Sequence, residues 1–88
     1  SSGKNLGIAV KDKGSVSVEE DLDVGTQQNF TLQAKQSILI ESDKDITLRA
    51  GRASITLKKD GKIDIVGAKI NIKASGDTKI KGSKVAIN

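Results

Sequence analysis

The chain has no cysteine, histidine, methionine, proline, tryptophan or tyrosine, and Phe30 is its one aromatic residue. Without cysteine there is no disulfide framework, and without cysteine or histidine no zinc or haem site of the usual ligand types. Serine triads and Cys–His pairs need residues this chain lacks. No apolar run exceeds three residues, as at Ile8-Ala9-Val10 and Ile38-Leu39-Ile40, so neither a transmembrane helix nor a signal peptide is expected. At 88 residues one small domain is the upper bound. There is no initiator methionine, and the opening Ser1-Ser2-Gly3 is expected to be a cloning scar outside the fold.

What the chain does have is branched aliphatics. Eleven Ile and six Val dominate its apolar residues, and these side chains suit a pleated sheet. A composition of 30% charged and 1% aromatic residues would also suit disorder. The order of the residues argues against that. Apolar-x-apolar pairs recur at Ile8/Val10, Val16/Val18, Leu22/Val24, Phe30/Leu32, Ile38/Ile40 and Ile46/Leu48. They continue at Ile55/Leu57, Ile63/Ile65, Ile70/Ile72, Thr78/Ile80 and Val85/Ile87. Most steps are eight residues, with departures of six, nine and seven. Of the large apolar residues, only Leu6, Leu39 and Val66 fall outside these slots, so the sorting is not accidental.

A spacing of two places both members of a pair on one face of a strand. On a helix they would lie about 200° apart. The residues between them, such as Ser17, Thr31, Thr47, Thr56, Asp64 and Asn71, are mostly small or polar, as an outer face requires; Leu39 is the exception. Small residues often take the next inward position (Ala34, Ser42, Ala50, Gly67, Ala74 and Gly82), where they let the backbone bend at a corner. Turn chemistry fills the gaps in "SDKD", "KKDG", "ASGD" and "KGSK". Each repeat reads as one short strand and one corner.

Strands with two or three inward residues suit a narrow prism better than a sandwich. A single chain with three repeats per turn would give a stubby solenoid, and the irregular steps would spoil its stacking. The burial available to one chain also falls short of the entropy of ordering it. Three chains winding together are therefore favoured. The expected fold is all-β: an intertwined homotrimeric triple-stranded β-helix, a three-sided prism of about eight-residue repeats. At about 4.8 Å between strands it would stand roughly 50 Å tall. The expected core comprises Phe30, Leu32, Ile38, Ile40, Ile46, Leu48, Ile55, Leu57, Ile63, Ile65, Ile70, Ile72 and Ile80.

The stretch from Ala53 to Asn88, "ASITLKKDGKIDIVGAKINIKASGDTKIKGSKVAIN", resembles the C-terminal end of VgrG proteins, the valine-glycine-repeat spikes of bacterial type VI secretion. The preceding "LQAKQSILIESDKDITLRAGR" resembles the region leading into it. The resemblance covers residues 30–88, read as regular needle, and is weaker over 4–29, read as a less regular entry. It implies a non-enzymatic, cell-puncturing needle without a cofactor, related to the central spikes of contractile-tailed phages. A PAAR-repeat cone would cap its blunt C-terminal end, and effectors would travel with it. The implied path runs from the bacterial cytoplasm to the outside and into a target cell envelope, with transient membrane contact. The family's base domain is not expected within these residues, and no effector domain is expected after the last repeat. Two alternatives remain: a phage or pyocin-like central spike, and a monomeric β-solenoid that binds polyanions through a basic face.

The candidate docking site is the last repeat, Val85, Ala86, Ile87 and Asn88, whose strand edges and apolar end would need a cap. The plainer role of Val85 and Ile87 is to complete the core, and both can hold together. Residues 46–88 carry ten Lys or Arg against three Asp or Glu, whereas residues 1–45 carry five against eight. The basic half lacks the interleaved aromatics of a nucleic-acid surface, so a solvated needle face is the expectation and nucleic acid is not an expected partner. Glu19-Glu20-Asp21 and Asp23 lack calcium-loop spacing, and the glycines match no phosphate-binding fingerprint. Neither a catalytic nor a metal site is expected. Asp60-Gly61 reads as a hairpin or corner turn.

Overall fold

A computed structural model describes residues 4–87. The described residues form an all-β structure with three strands: β1 (Asp45–Ala50), β2 (Ala53–Lys58) and β3 (Ile63–Val66). The chain divides into two units, with the division between Gln36 and Ser37. In the first unit no strand or helix forms among the described residues. Within it the Gln28 N–H donates to the Thr26 hydroxyl at 3.3 Å, a side-chain turn that needs no tertiary support.

The second unit holds the sheet. Its order is β1-β2-β3, and both junctions are antiparallel. In the first ladder Ile46 faces Leu57, Leu48 faces Ile55 and Ala50 faces Ala53; in the second, Leu57 faces Ile63 and Ile55 faces Ile65. Because side chains alternate along a strand, this register gathers eight apolar residues on one face: Ile46, Leu48, Ala50, Ala53, Ile55, Leu57, Ile63 and Ile65. The other face carries Asp45, Thr47, Arg49, Ser54, Thr56, Lys58, Asp64 and Val66. The period-two pattern therefore folds as expected over residues 45–66.

The turns explain why strands form here. Gly51 and Arg52 alone connect β1 to β2. Gly51 has φ +55°, and among the described residues none other than glycine takes a positive φ, as fits a two-residue turn with glycine first. Between β2 and β3 the Gly61 N–H donates to the Lys58 carbonyl at 3.0 Å, and the Lys58 N–H donates to the Lys62 carbonyl at 3.0 Å. With Gly61 at φ +95°, this is a tight turn closed by a glycine bulge, the commonest three-residue hairpin loop. Asp60 reinforces it, its Oδ1 accepting from the Lys62 N–H at 3.2 Å. Upstream, the Ser42 hydroxyl accepts from the Lys44 N–H at 3.2 Å and leads the chain into β1.

Eleven apolar pairs predict eleven strands, yet only the pairs at 46/48, 55/57 and 63/65 lie in strands. The difference has a physical cause: a short strand persists only when its backbone groups have a partner. Hairpin turns supply that partner within the chain over 45–66. Among the described residues the other pairs have no neighbouring strand.

No described residue is buried. The half-buried sheet residues are Ile46, Ser54, Thr56 and Asp64, so the polar face is on balance better covered than the aliphatic one. The chain exposes 10088 Å². A compact folded protein of its 9.2 kDa mass would expose about 4,900 Å². The deficit is one of cover for apolar side chains.

Candidate functional site

A concave feature lies in the second unit, on the sheet. It is an open groove of about 460 Å³ whose lining includes Leu48, Ala50, Ala53, Ile55, Ile65 and Ile70. Its shape follows from the sequence. Ala50 and Ala53 face each other beside the Gly51-Arg52 turn, and their short side chains leave space next to Leu48 and Ile55. Past the end of β3 the chain bends at Ala68 and Lys69 and brings Ile70 alongside Gly67, its side chain 3.6 Å from where a Gly67 Cβ would stand. The groove is therefore the alanine end of the aliphatic face, rimmed by the first residues after β3.

The aliphatic face offers no chemistry of bond making. It has no nucleophile and no general base, and its side chains can only exclude water. Across the other face Thr47, Thr56 and Asp64 form a row, with Asp45 opposite Lys58 at one end. Among the described residues no group of three or more acidic, histidine or cysteine side chains is placed to hold a metal ion. No helix is long and apolar enough to cross a membrane among them.

Six of the expected core residues, Ile46, Leu48, Ile55, Leu57, Ile63 and Ile65, come together on one face. Ile70 reaches the groove. Ile38, Ile40, Ile72 and Ile80 belong to the second unit but lie outside its strands, and Phe30 and Leu32 belong to the first. The expected tip is not assembled into a strand: Val85, Ala86 and Ile87 are exposed, Ile87 at 90%, and Asn88 lies outside the described residues.

Sequence reasoning missed the Ala50–Ala53 hairpin. The signal was available: a step of nine, from Ile46 to Ile55, breaks the eight-residue beat and has Gly51 in its middle. It also missed the groove, because Ala50 reads as a corner residue and Ala53 has no evident role until the register sets them face to face. Val66, outside every apolar pair, ends β3 on the polar face.

No protein family, curated protein or solved structure matches this chain.

Proposed function

We propose that the chain is a segment of a trimeric β-helix needle of the VgrG type, a non-enzymatic spike of bacterial type VI secretion. One observation carries this: the lone chain exposes 10088 Å², about twice what a compact chain of its mass would, and leaves eight apolar side chains on one uncovered sheet face. A compact particle of three such chains would expose about 11,000 Å², so assembly would remove well over half of the three chains' area from water. Copies of the same chain are the natural cover for a face so uniform, because closed homo-oligomers are the commonest assemblies.

In this reading three chains close a prism with the aliphatic residues inward and the threonines and charges outward. Its function is shape and stiffness. Backbone hydrogen bonds run along its axis, so bending the rod strains many of them together. The residues that resemble the VgrG end place a PAAR-repeat cone on Val85, Ala86, Ile87 and Asn88. Such a needle is assembled in the bacterial cytoplasm and fired through a target envelope with its effectors, touching the membrane in passing.

Sedimentation equilibrium tests the assembly. Three chains of 9.2 kDa give about 28 kDa. A species of 9.2 kDa at all accessible concentrations refutes the needle and leaves a monomeric binding module. Deleting residues 85–88 is the second arm: it should abolish capture of a PAAR-repeat protein while the trimeric species persists. Capture of a phage tip protein in place of the PAAR-repeat protein would assign the needle to a tail-like machine.

A further inference from the structure

We infer that the β1–β2–β3 meander survives assembly, so that over residues 45–66 each chain by itself forms one face of the prism and docks its aliphatic side against the same face of two other copies. This rests on the trimeric reading above and changes its topology. The chains do not interwind through this segment.

Three features of the sheet lead there. First, the hairpins are fixed by local chemistry rather than by remote packing. Gly51 at φ +55° and Gly61 at φ +95° hold turns suited to antiparallel pairing, and the Lys58–Lys62 and Gly61–Lys58 bonds close the second one. A corner that sent the next strand to a different face would have to break those bonds and leave Asp60 without the Lys62 N–H. Second, the face is already sorted. All eight of its inward residues are apolar and every charged side chain of the three strands is on the other side, so the meander needs no rearrangement before it docks.

Third, the face narrows at one side. Ala50 and Ala53 pair beside the turn, and Gly67 follows β3. Small residues along a lateral margin let two neighbouring faces meet at an acute angle, which a three-sided prism needs. A flat two-sheet sandwich, with its layers about 10 Å apart, would leave a gap over those alanines. The groove of about 460 Å³ at that margin, between Leu48, Ile55, Ile65 and Ile70, is the space a neighbouring copy's aliphatic side chains would fill.

Thr47 and Thr56 supply the test. They face each other across β1 and β2 on the polar side, away from the proposed contact. Counting from the two-residue turn they form a non-hydrogen-bonded pair, whose Cα atoms stand about 4.5 Å apart, within the range a disulfide spans. The chain has no cysteine of its own, so a Thr47→Cys/Thr56→Cys variant carries the only two thiols. Arg49→Cys/Ser54→Cys, the next non-hydrogen-bonded pair on that face, is the second variant should the first fold poorly.

The assembled variant is oxidised with oxidised glutathione, then run under non-reducing denaturing conditions and assayed for free thiol. The expected result is single chains of 9.2 kDa with both thiols consumed. Variant oxidised before assembly should trimerise within about twofold of the reduced chain, since the substituted pair lies on the face turned away from the proposed contact. Chains linked to one another, or thiols left unreacted in a sedimenting trimer, overturn the inference and restore interwinding. So does a pre-oxidised chain that stays monomeric while its reduced form assembles. If the unsubstituted chain never exceeds 9.2 kDa, the needle itself fails, a result distinguishable from all of these.

Discussion

Ile55 and Ile63 sit on the same aliphatic face but differ in how much of each the lone chain already covers. Ile55, in the central strand, is 40% exposed; Ile63, at the start of β3, is 61% exposed. Replacing isoleucine by alanine removes three carbons, about 2.4 kcal/mol of transfer free energy when the site is fully buried. Only the part still exposed in the lone chain can be gained on assembly. For Ile55→Ala the loss is then about 1 kcal/mol per copy and about 3 kcal/mol per trimer. For Ile63→Ala it is about 1.5 kcal/mol per copy and about 4.4 kcal/mol per trimer. The trimer formation constant should fall on the order of 10²-fold for Ile55→Ala and 10³-fold for Ile63→Ala.

The order reverses for the isolated sheet. There Ile55→Ala removes cover already present, about 1.4 kcal/mol, against about 0.9 kcal/mol for Ile63→Ala. Cavities left in the assembled core would enlarge the assembly losses without changing their order. Sedimentation equilibrium over a concentration series reads the first quantity. Amide exchange of the β2 backbone at concentrations below the assembly threshold reads the second. Thr56→Ala, on the opposite face, is the control and should leave assembly within about twofold of the unsubstituted chain. Equal effects of Ile55→Ala and Thr56→Ala on assembly would refute the assignment of the aliphatic face as the contact. An Ile63→Ala variant that assembles normally would refute it as well.

Gly61→Ala should destabilise the β2–β3 turn by about 1–2 kcal/mol, because φ +95° is a left-handed conformation that L side chains resist. No atom lies within 4 Å of the added Cβ, so the penalty is purely one of backbone, and protection of the Gly61 and Lys58 amides from exchange should drop accordingly. The ten basic and three acidic residues of 46–88 predict association with phosphatidylglycerol vesicles but not with phosphatidylcholine vesicles. Raising salt from about 0.1 M to 1 M shortens the screening length from about 10 Å to 3 Å and should release the protein, as flotation would show; binding that persists at high salt contradicts an electrostatic origin.

The apolar-x-apolar pairs make the inward face of each strand legible in the order of the residues alone. Ile46/Leu48, Ile55/Leu57 and Ile63/Ile65 do share one side, and Thr47, Thr56 and Asp64 the other. Alternation records which way a side chain points, so it survives translation into structure wherever a strand forms. It does not record which strand lies next to which. An eight-residue repeat suits a corner that passes the chain to a new face and a hairpin that returns it to the same one. What separates the two is the backbone at a few turn positions. "KKDGK" could be read either way, and Gly61 at φ +95° with its bulge decides for the hairpin. Gly51 carries the same information inside the one step of nine.

The tip was legible only as composition. Val85, Ala86 and Ile87 show the apolar alternation of a repeat, but among the described residues no hairpin supplies that segment with a partner, and Ile87 is 90% exposed. The same holds for Ile70/Ile72 and for Ile38/Ile40, which carry the pattern without a hairpin and form no strand. Two kinds of segment therefore follow from one repeat. Where glycine turns close a hairpin, pairing is satisfied within the chain and only the aliphatic face remains to be covered. Where they do not, both the face and the backbone edges await a neighbour. A trimer that met both needs would hold a self-paired sheet over 45–66, with interchain strands before and after it. Interchain pairing and hairpins are then successive zones of one prism rather than rival accounts of it.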